Sequence, residues 1–128
     1  MPVQLNHTIV HAHDKQEAAA FFCEILGLPE PAAFGPFLTV ECANGVTLDV
    51  ADDHADVIAP QHYAFLVTET EFDEIFGRIK ERGLIYWADP GHRRAGDINT
   101  NDGGRGLYWS DPNGHNLEII TRPYGSGS

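Results

Sequence analysis

A glutamate lies near the end of the chain where a buried strand residue is expected. Residues 106–120 read GLYWSDPNGHNLEII, in which two apolar runs flank the turn-forming residues Asp-Pro-Asn-Gly. On an alternating strand, Leu117 and Ile119 face one side and Glu118 faces the other. A buried carboxylate is costly unless it is paired, and a divalent metal is its most effective partner. Glu118 is therefore predicted to bind a metal.

The chain contains an internal repeat that supplies further candidate ligands. The segments NGVTLDV and NGHNLEI share an Asn-Gly turn, a leucine, an acid and a branched apolar residue. The repeat pairs Asp49 with Glu118 and, on the strand before each helix, His7 with His62. Strand alternation places both histidines on the face of Glu118. Two histidines and one carboxylate form a facial triad with open coordination positions, so the predicted metal ligands are His7, His62 and Glu118.

The elements that position these residues follow the order β-α-β-β(-β) twice. Apolar residues recur at helical spacing in two stretches that end at Gly27 and Gly83. A capping box beginning at Asp14 precedes the first helix, and Thr70 and Asp73 are the candidate caps of the second. The sequence predicts an α+β protein with one domain over residues 1–128: module one at about 1–58, module two at about 59–124, and a flexible tail at 125–128.

Charge and composition exclude several classes of partner. Nineteen acidic and eight basic residues give a net charge of -11, which repels nucleic acids and anionic membrane surfaces. The sequence shows neither an apolar run of membrane-spanning length nor a secretory leader, so we expect a cytoplasmic protein with no nucleic acid or membrane partner. Two cysteines do not indicate a disulfide framework.

Three motifs resemble the vicinal oxygen chelate superfamily, which includes glyoxalase I, extradiol dioxygenases, fosfomycin-resistance thiol transferases and bleomycin-resistance proteins. They are Leu5-Asn6-His7, Gln61-His62-Tyr63-Ala64-Phe65 and the segment DPNGHNLE that ends at Glu118. The resemblance implies tandem βαβββ modules that form a cupped mixed β-sheet with helices on its outer face. It also implies a homodimer with shared sites, in which one chain supplies His7 and the other supplies His62 and Glu118. The metal alternatives for His2Glu ligation are Mn, Fe, Co, Ni and Zn.

Three other residues are assigned roles by the resemblance. Tyr108 matches a tyrosine in the substrate pocket of the thiol transferases and is predicted to be catalytic. Asp49 takes the position of a fourth ligand, a glutamate, in glyoxalase I. Because aspartate is shorter, the alternatives are a direct ligand, a ligand through water, a catalytic base or a solvated carboxylate. Ile9 replaces an active-site threonine of the thiol transferases and is predicted to contact the substrate.

Aromatic and basic side chains supply the remaining predicted substrate contacts. Trp87 and Trp109 are candidates for the wall of a cavity that holds a flat substrate, with core packing as the alternative. Arg93 and Arg94 lie in a long glycine-rich segment, residues 88–105, of the kind that often covers substrates. They are predicted to meet an anionic substrate group, with solvation as the alternative.

The predicted function is that of a metal-dependent enzyme of this superfamily. The metal would act as a Lewis acid that chelates two neighbouring oxygens of a small xenobiotic or metabolite. Addition of a small thiol to an electrophilic xenobiotic, as in antibiotic resistance, ranks first, and isomerisation and dioxygenase ring cleavage stay open. The alternative is a non-catalytic protein that sequesters a cationic drug. The net charge of -11 favours that alternative, and the metal triad does not.

Overall fold

A computed structural model describes residues 3–127 and divides them into two compact units. The first unit runs to Ala59 and the second begins at Pro60. Each unit contains one α-helix and one four-stranded mixed sheet in the same element order. The predicted α+β class with a repeated module is therefore confirmed.

In the first unit, the predicted ligand His7 lies on an edge strand of the sheet. Its elements are β1 (His7–Ala12), α1 (Lys15–Leu26), β2 (Ala32–Phe34), β3 (Phe37–Glu41) and β4 (Thr47–Asp52). The sheet order is β1-β4-β3-β2, with β1 and β4 parallel and the other pairs antiparallel. The helix begins where the Asp14 side chain accepts hydrogen bonds from the two N–H groups of Gln16 and Glu17, and it ends at Gly27, which has a φ of 70°.

The second unit repeats this arrangement. Its elements are β5 (His62–Leu66), α2 (Glu69–Glu81), β6 (Tyr86–Trp87), β7 (Gly106–Ser110) and β8 (Asn116–Ile120), with a short 3-10 turn at Asn101–Gly103. The sheet order is β5-β8-β7-β6, and β5 and β8 are parallel. Thr68, rather than Thr70 or Asp73, caps α2. The prediction is wrong here because Thr68 and Glu71 form a complete capping box that satisfies the first N–H groups of the helix.

Strand alternation separates an apolar core face from a face that carries the candidate ligands. On β1, Val10 and Ala12 are buried while His7 is exposed. On β8, Leu117 and Ile119 are fully buried core residues on the face opposite Glu118. The predicted orientation of the strands that carry the candidate ligands is therefore confirmed.

Neither a disulfide nor a membrane span contributes to the fold of residues 3–127. Cys23 and Cys42 are free thiols, and burial raises the pKa of Cys23 to about 11. No helix within these residues is long and apolar enough to cross a bilayer.

Candidate metal centre

His62 and Glu118 meet on one face of the second sheet. Strands β5 and β8 are parallel neighbours, and their register pairs Ala64 with Glu118, so the side chains of His62 and Glu118 project to the same side. The Nε2 atom of His62 lies 2.9 Å from Oε1 of Glu118. The Glu118 side chain is 1% exposed and that of His62 is 45% exposed. The pair is thus buried at its carboxylate and open at its imidazole.

The donor atoms of this pair fit a divalent metal. Imidazole nitrogen and carboxylate oxygen bind such ions at about 2.0–2.2 Å, so two ligands at right angles lie about 3 Å apart. In the structure, Nε2 of His62 donates a hydrogen bond to Oε1 of Glu118 at 2.9 Å, and a metal bound by both atoms would take the place of the shared proton. Within residues 3–127, no three or more His, Cys, Asp or Glu side chains form a group able to hold a metal. The structure brings together two of the three predicted ligands, and the ligand role of all three stays a prediction.

His7 lies at the start of β1 with an exposed side chain. Its Nδ1 atom is 2.7 Å from Oδ1 of Asn6. Because an amide oxygen only accepts, Nδ1 of His7 donates this hydrogen bond, and Nε2 is the ring nitrogen through which the residue could bind a metal.

Asp49 is the counterpart of Glu118 in the first unit. It pairs with Ile9 of β1 and Thr39 of β3, and it is 7% exposed. The Thr47 hydroxyl donates to Oδ1 of Asp49 at 3.1 Å. Asp49 is therefore a buried carboxylate rather than a solvated one. Ile9, beside it, is 43% exposed and available to a ligand.

Two phenols, of which one contacts Glu118 directly, lie beside its carboxylate. Tyr108 pairs with Glu118 across β7 and β8, and its ring packs edge-on against His62 with 5.8 Å between ring centroids. Tyr124, which follows β8, donates its hydroxyl to Oε2 of Glu118. The hydroxyl oxygens of Tyr108 and Tyr124 are 3.0 Å apart. Burial raises the pKa of both tyrosines, so both phenols stay protonated at neutral pH.

The segment after β6 folds back onto the face of Glu118. Trp87 pairs with Tyr108, and the ring of His92 stacks on Trp87 with 3.7 Å between centroids and 5° between planes. His92 Nε2 lies 3.0 Å from Oδ1 of Asn116. Trp87 thus lies on the side predicted for a substrate contact. The ring of His92, a residue that the sequence did not single out, covers the ring of Trp87. The backbone of His92 has a φ of 59°, which is uncommon for a residue other than glycine.

The two loop arginines are held through their backbones. The N–H groups of Arg93 and Arg94 donate to the carboxylate of Asp89, and these hydrogen bonds, led by that from Arg94, lower the pKa of Asp89. Both arginines are exposed, and Nη2 of Arg94 is 3.9 Å from Oδ2 of Asp97. Their predicted contact with an anionic substrate stays a prediction.

Trp109 lies on the core side of β7. It pairs with Tyr86, whose ring packs against Phe76 of α2, and with Leu117, and it is fully buried. Its Nε1 has no hydrogen-bond partner within the described part of the chain. Trp109 is therefore a core residue, which is the alternative that the sequence left open.

One family model matches most of the sequence of both units. The model described as Glyoxalase/Bleomycin resistance protein/Dioxygenase superfamily matches residues 4–119. The chain belongs to this superfamily. The family membership that the three sequence motifs indicated is thereby confirmed, and so is the predicted fold class.

Relatives of this glyoxalase-superfamily chain carry the names of enzymes. It is 28% identical over 120 residues to glutathione transferase FosA of Serratia marcescens, an alignment that covers 90% of this chain and 78% of that protein. The solved structure of oxidase ChaP-H1 is 64% identical, with a TM-score of 0.94 and coverage of 97% of this chain and 99% of its own. Oxidase ChaP-H2 is 66% identical, with a TM-score of 0.96 and full coverage of both chains.

Proposed function

We propose that this chain is a metal-dependent enzyme that oxidises a small organic molecule with dioxygen as the electron acceptor. The observation that carries the proposal is the approach of His62 Nε2 to Glu118 Oε1 at 2.9 Å on a hydrogen-bonded sheet. Together with His7, these ligands would form the 2-His-1-carboxylate set that is typical of non-haem Fe(II) oxygenases. The name oxidase, carried by two structures 64% and 66% identical to this chain, supports oxidation over the other reactions of the superfamily.

The residues around the ligands have distinct proposed roles. When bound, iron(II) would supply one-electron chemistry and polarise substrate oxygens. Tyr108, a protonated phenol beside His62, would donate a hydrogen bond to a substrate oxygen and so orient the substrate. Asp49, a buried carboxylate that accepts one hydroxyl hydrogen bond, would accept a substrate proton. Ile9, which pairs with Asp49, and Trp87, which pairs with Tyr108, would supply apolar contacts to the substrate.

The working unit of the proposed enzyme is a homodimer. Within residues 3–127 of a single chain, no three candidate ligands form a metal-holding group. Strands β1 and β5 are edge strands of their respective sheets, and a sheet edge is a surface along which a second chain can associate. A two-fold dimer in which each site takes His7 from one chain and the other two ligands from the second would complete the ligand set.

Thiol addition to an electrophile is the second candidate. The similarity of 28% over 120 residues to a protein named glutathione transferase favours it. Under this reading the metal would stabilise an oxyanion without redox change, and Tyr108 would keep its place in the substrate pocket. The two candidates differ in their need for dioxygen.

Nitric oxide, a stable analogue of dioxygen, tests the proposal directly. Protein loaded anaerobically with one Fe(II) per site should give a high-spin iron–nitrosyl signal by electron paramagnetic resonance, because the facial triad leaves positions open. The Glu118→Ala variant should give none. Oxygen uptake with a panel of phenols and vicinal diols would then find the substrate class. An iron-loaded parent without a nitrosyl signal, together with anaerobic consumption of an epoxide and glutathione, would replace oxidation by thiol addition.

A further inference from the structure

Tyr124 contacts a predicted metal ligand from a part of the chain that lies outside both repeated strands. It follows β8 by four residues, and its hydroxyl donates to Oε2 of Glu118. The residue is 61% exposed, so core packing does not account for its position. The interaction that Tyr124 makes in the folded protein is the hydrogen bond of its hydroxyl group to Glu118.

The hydrogen-bond direction in this group follows from its chemistry. A carboxylate only accepts, so Tyr124 must donate to Glu118, and its oxygen is then free to accept from Tyr108, 3.0 Å away. The two oxygens of Glu118 are thereby divided. Oε2 is engaged by a phenol, and Oε1 is turned to the Nε2 atom of His62.

The segment that carries Tyr124 is held in place, and we name residues 123–127 the C-terminal strap. The N–H groups of Gly125 and Gly127 are 3.1 and 3.4 Å from Oδ1 of Asp102, to which they donate. A Cβ atom added at Gly127 would collide with the backbone of Asp102, so only glycine allows this close approach. The flexible tail at 125–128 stays a prediction, and its last residue lies outside the described residues; residues 125 and 127 have these hydrogen bonds in the structure.

We propose that Tyr124 is a positioning residue that holds Glu118 as a one-oxygen metal ligand, and that the C-terminal strap fixes Tyr124 for this task. The inference rests on the metal site of the proposed function. Ligating carboxylates are commonly oriented by a hydrogen bond to their other oxygen, and loss of such a partner typically costs about 10–100-fold in metal affinity. Tyr124 supplies that partner from the last turn of the described chain.

Cobalt(II) titration of the full-length protein tests the role of Tyr124. Calorimetry gives the Kd, and the visible absorption of the ion reports the ligand geometry. Tyr124→Phe should raise the Kd about 10–100-fold and alter the absorption spectrum. Tyr86→Phe is the matched control, because Tyr86 packs against Phe76 on the core side of the sheet. Asp102→Ala, which releases the strap, should change Kd and spectrum in the direction of Tyr124→Phe.

Each other outcome contradicts the proposal in a different way. A Tyr124→Phe variant with the Kd and spectrum of the parent would overturn the positioning role and leave the metal site intact. A tighter Kd would also overturn it, since the phenol would then compete with the metal for Glu118. A parent that binds no cobalt would refute the metal site and the strap together. Circular dichroism and thermal melts of all variants identify any loss of fold.

Discussion

The imidazole of His62 and the carboxylate of Glu118, 56 positions apart in the chain, meet at 2.9 Å because β5 and β8 are parallel neighbours. A parallel pair fixes this contact through the hydrogen bonds of the sheet rather than through a flexible loop. The two side chains are therefore already adjacent, which lowers the entropic cost of binding one ion, and the ion would replace the proton that His62 donates to Glu118.

The first prediction concerns the two ligands that lie together. Replacement of His62 or Glu118 by alanine should abolish stoichiometric binding of a divalent ion and leave the far-ultraviolet circular dichroism spectrum unchanged. Each change removes one of three ligands from a sheet whose backbone it does not alter. Metal content per chain after dialysis is the measurement. His54→Ala, which changes an exposed histidine between β4 and β5, is the control, and unchanged metal content in Glu118→Ala would refute the assignment.

The orientation of Glu118 on its strand was predictable because two independent regularities indicate it. Period-two alternation separates it from Leu117 and Ile119, and the repeated Asn-Gly turn fixes its register relative to Asp49. Tyr124 had no such signal. Its contact depends on how the chain continues after β8, and no strand or helix period extends across Arg122 and Pro123.

The cap of α2 shows a second limit of sequence reasoning. Three candidates for the N-cap lie within six residues, at Thr68, Thr70 and Asp73. Propensity alone does not separate them, because each side chain can accept a hydrogen bond from a helical N–H group. The sequence also holds the capping-box pattern Thr68-x-x-Glu71, and the structure shows that this is the box that forms, with the Glu71 side chain returned to the backbone of Thr68.

The second prediction concerns assembly. A chain carrying His7→Ala mixed with a chain carrying Glu118→Ala should regain metal binding, because one of the two sites in the heterodimer keeps all three ligands. Differently tagged chains allow the heterodimer to be isolated and its metal counted, with about one ion per two chains as the expected value. A verified heterodimer with no metal would count against sites shared between chains.

Asp49→Asn is the third predicted change. If Asp49 accepts a substrate proton, the amide should lower kcat by about 100-fold or more and leave the metal content of the protein unchanged, since general bases typically contribute 10²–10⁴-fold. A direct ligand would instead lose metal affinity. The matched control is Thr47→Val, which removes the hydroxyl donor to Asp49 and keeps the carboxylate. Equal kcat and equal metal content in Asp49→Asn would show that neither role holds.

The fourth prediction concerns His115, which accepts a hydrogen bond from the backbone next to His62. His115 is fully buried, and its Nδ1 accepts a hydrogen bond from the N–H of Gln61 at 2.9 Å, at the residue before His62. His115→Ala should lower the free energy of unfolding by about 2–4 kcal/mol, because it leaves a cavity in place of a fully buried ring and removes the acceptor of the part-buried Gln61 N–H group. His115→Asn, which keeps an acceptor near Nδ1, should lose less. Equal losses in urea denaturation would exclude the hydrogen bond as the cause.

The last prediction separates an enzyme from a drug-binding protein. If substrate oxygens reach the metal, a small hydroxamate should bind the metal-loaded protein and not the metal-free protein, since its two oxygens need the open coordination positions. Arg93→Ala with Arg94→Ala should weaken binding of an anionic hydroxamate several-fold without loss of metal, because both arginines are exposed and act through charge alone. Calorimetry on the loaded and metal-free proteins measures both effects. Tight binding of bleomycin to the metal-free protein, with the hydroxamate indifferent to metal, would favour sequestration of a cationic drug by an acidic protein of net charge -11 over catalysis.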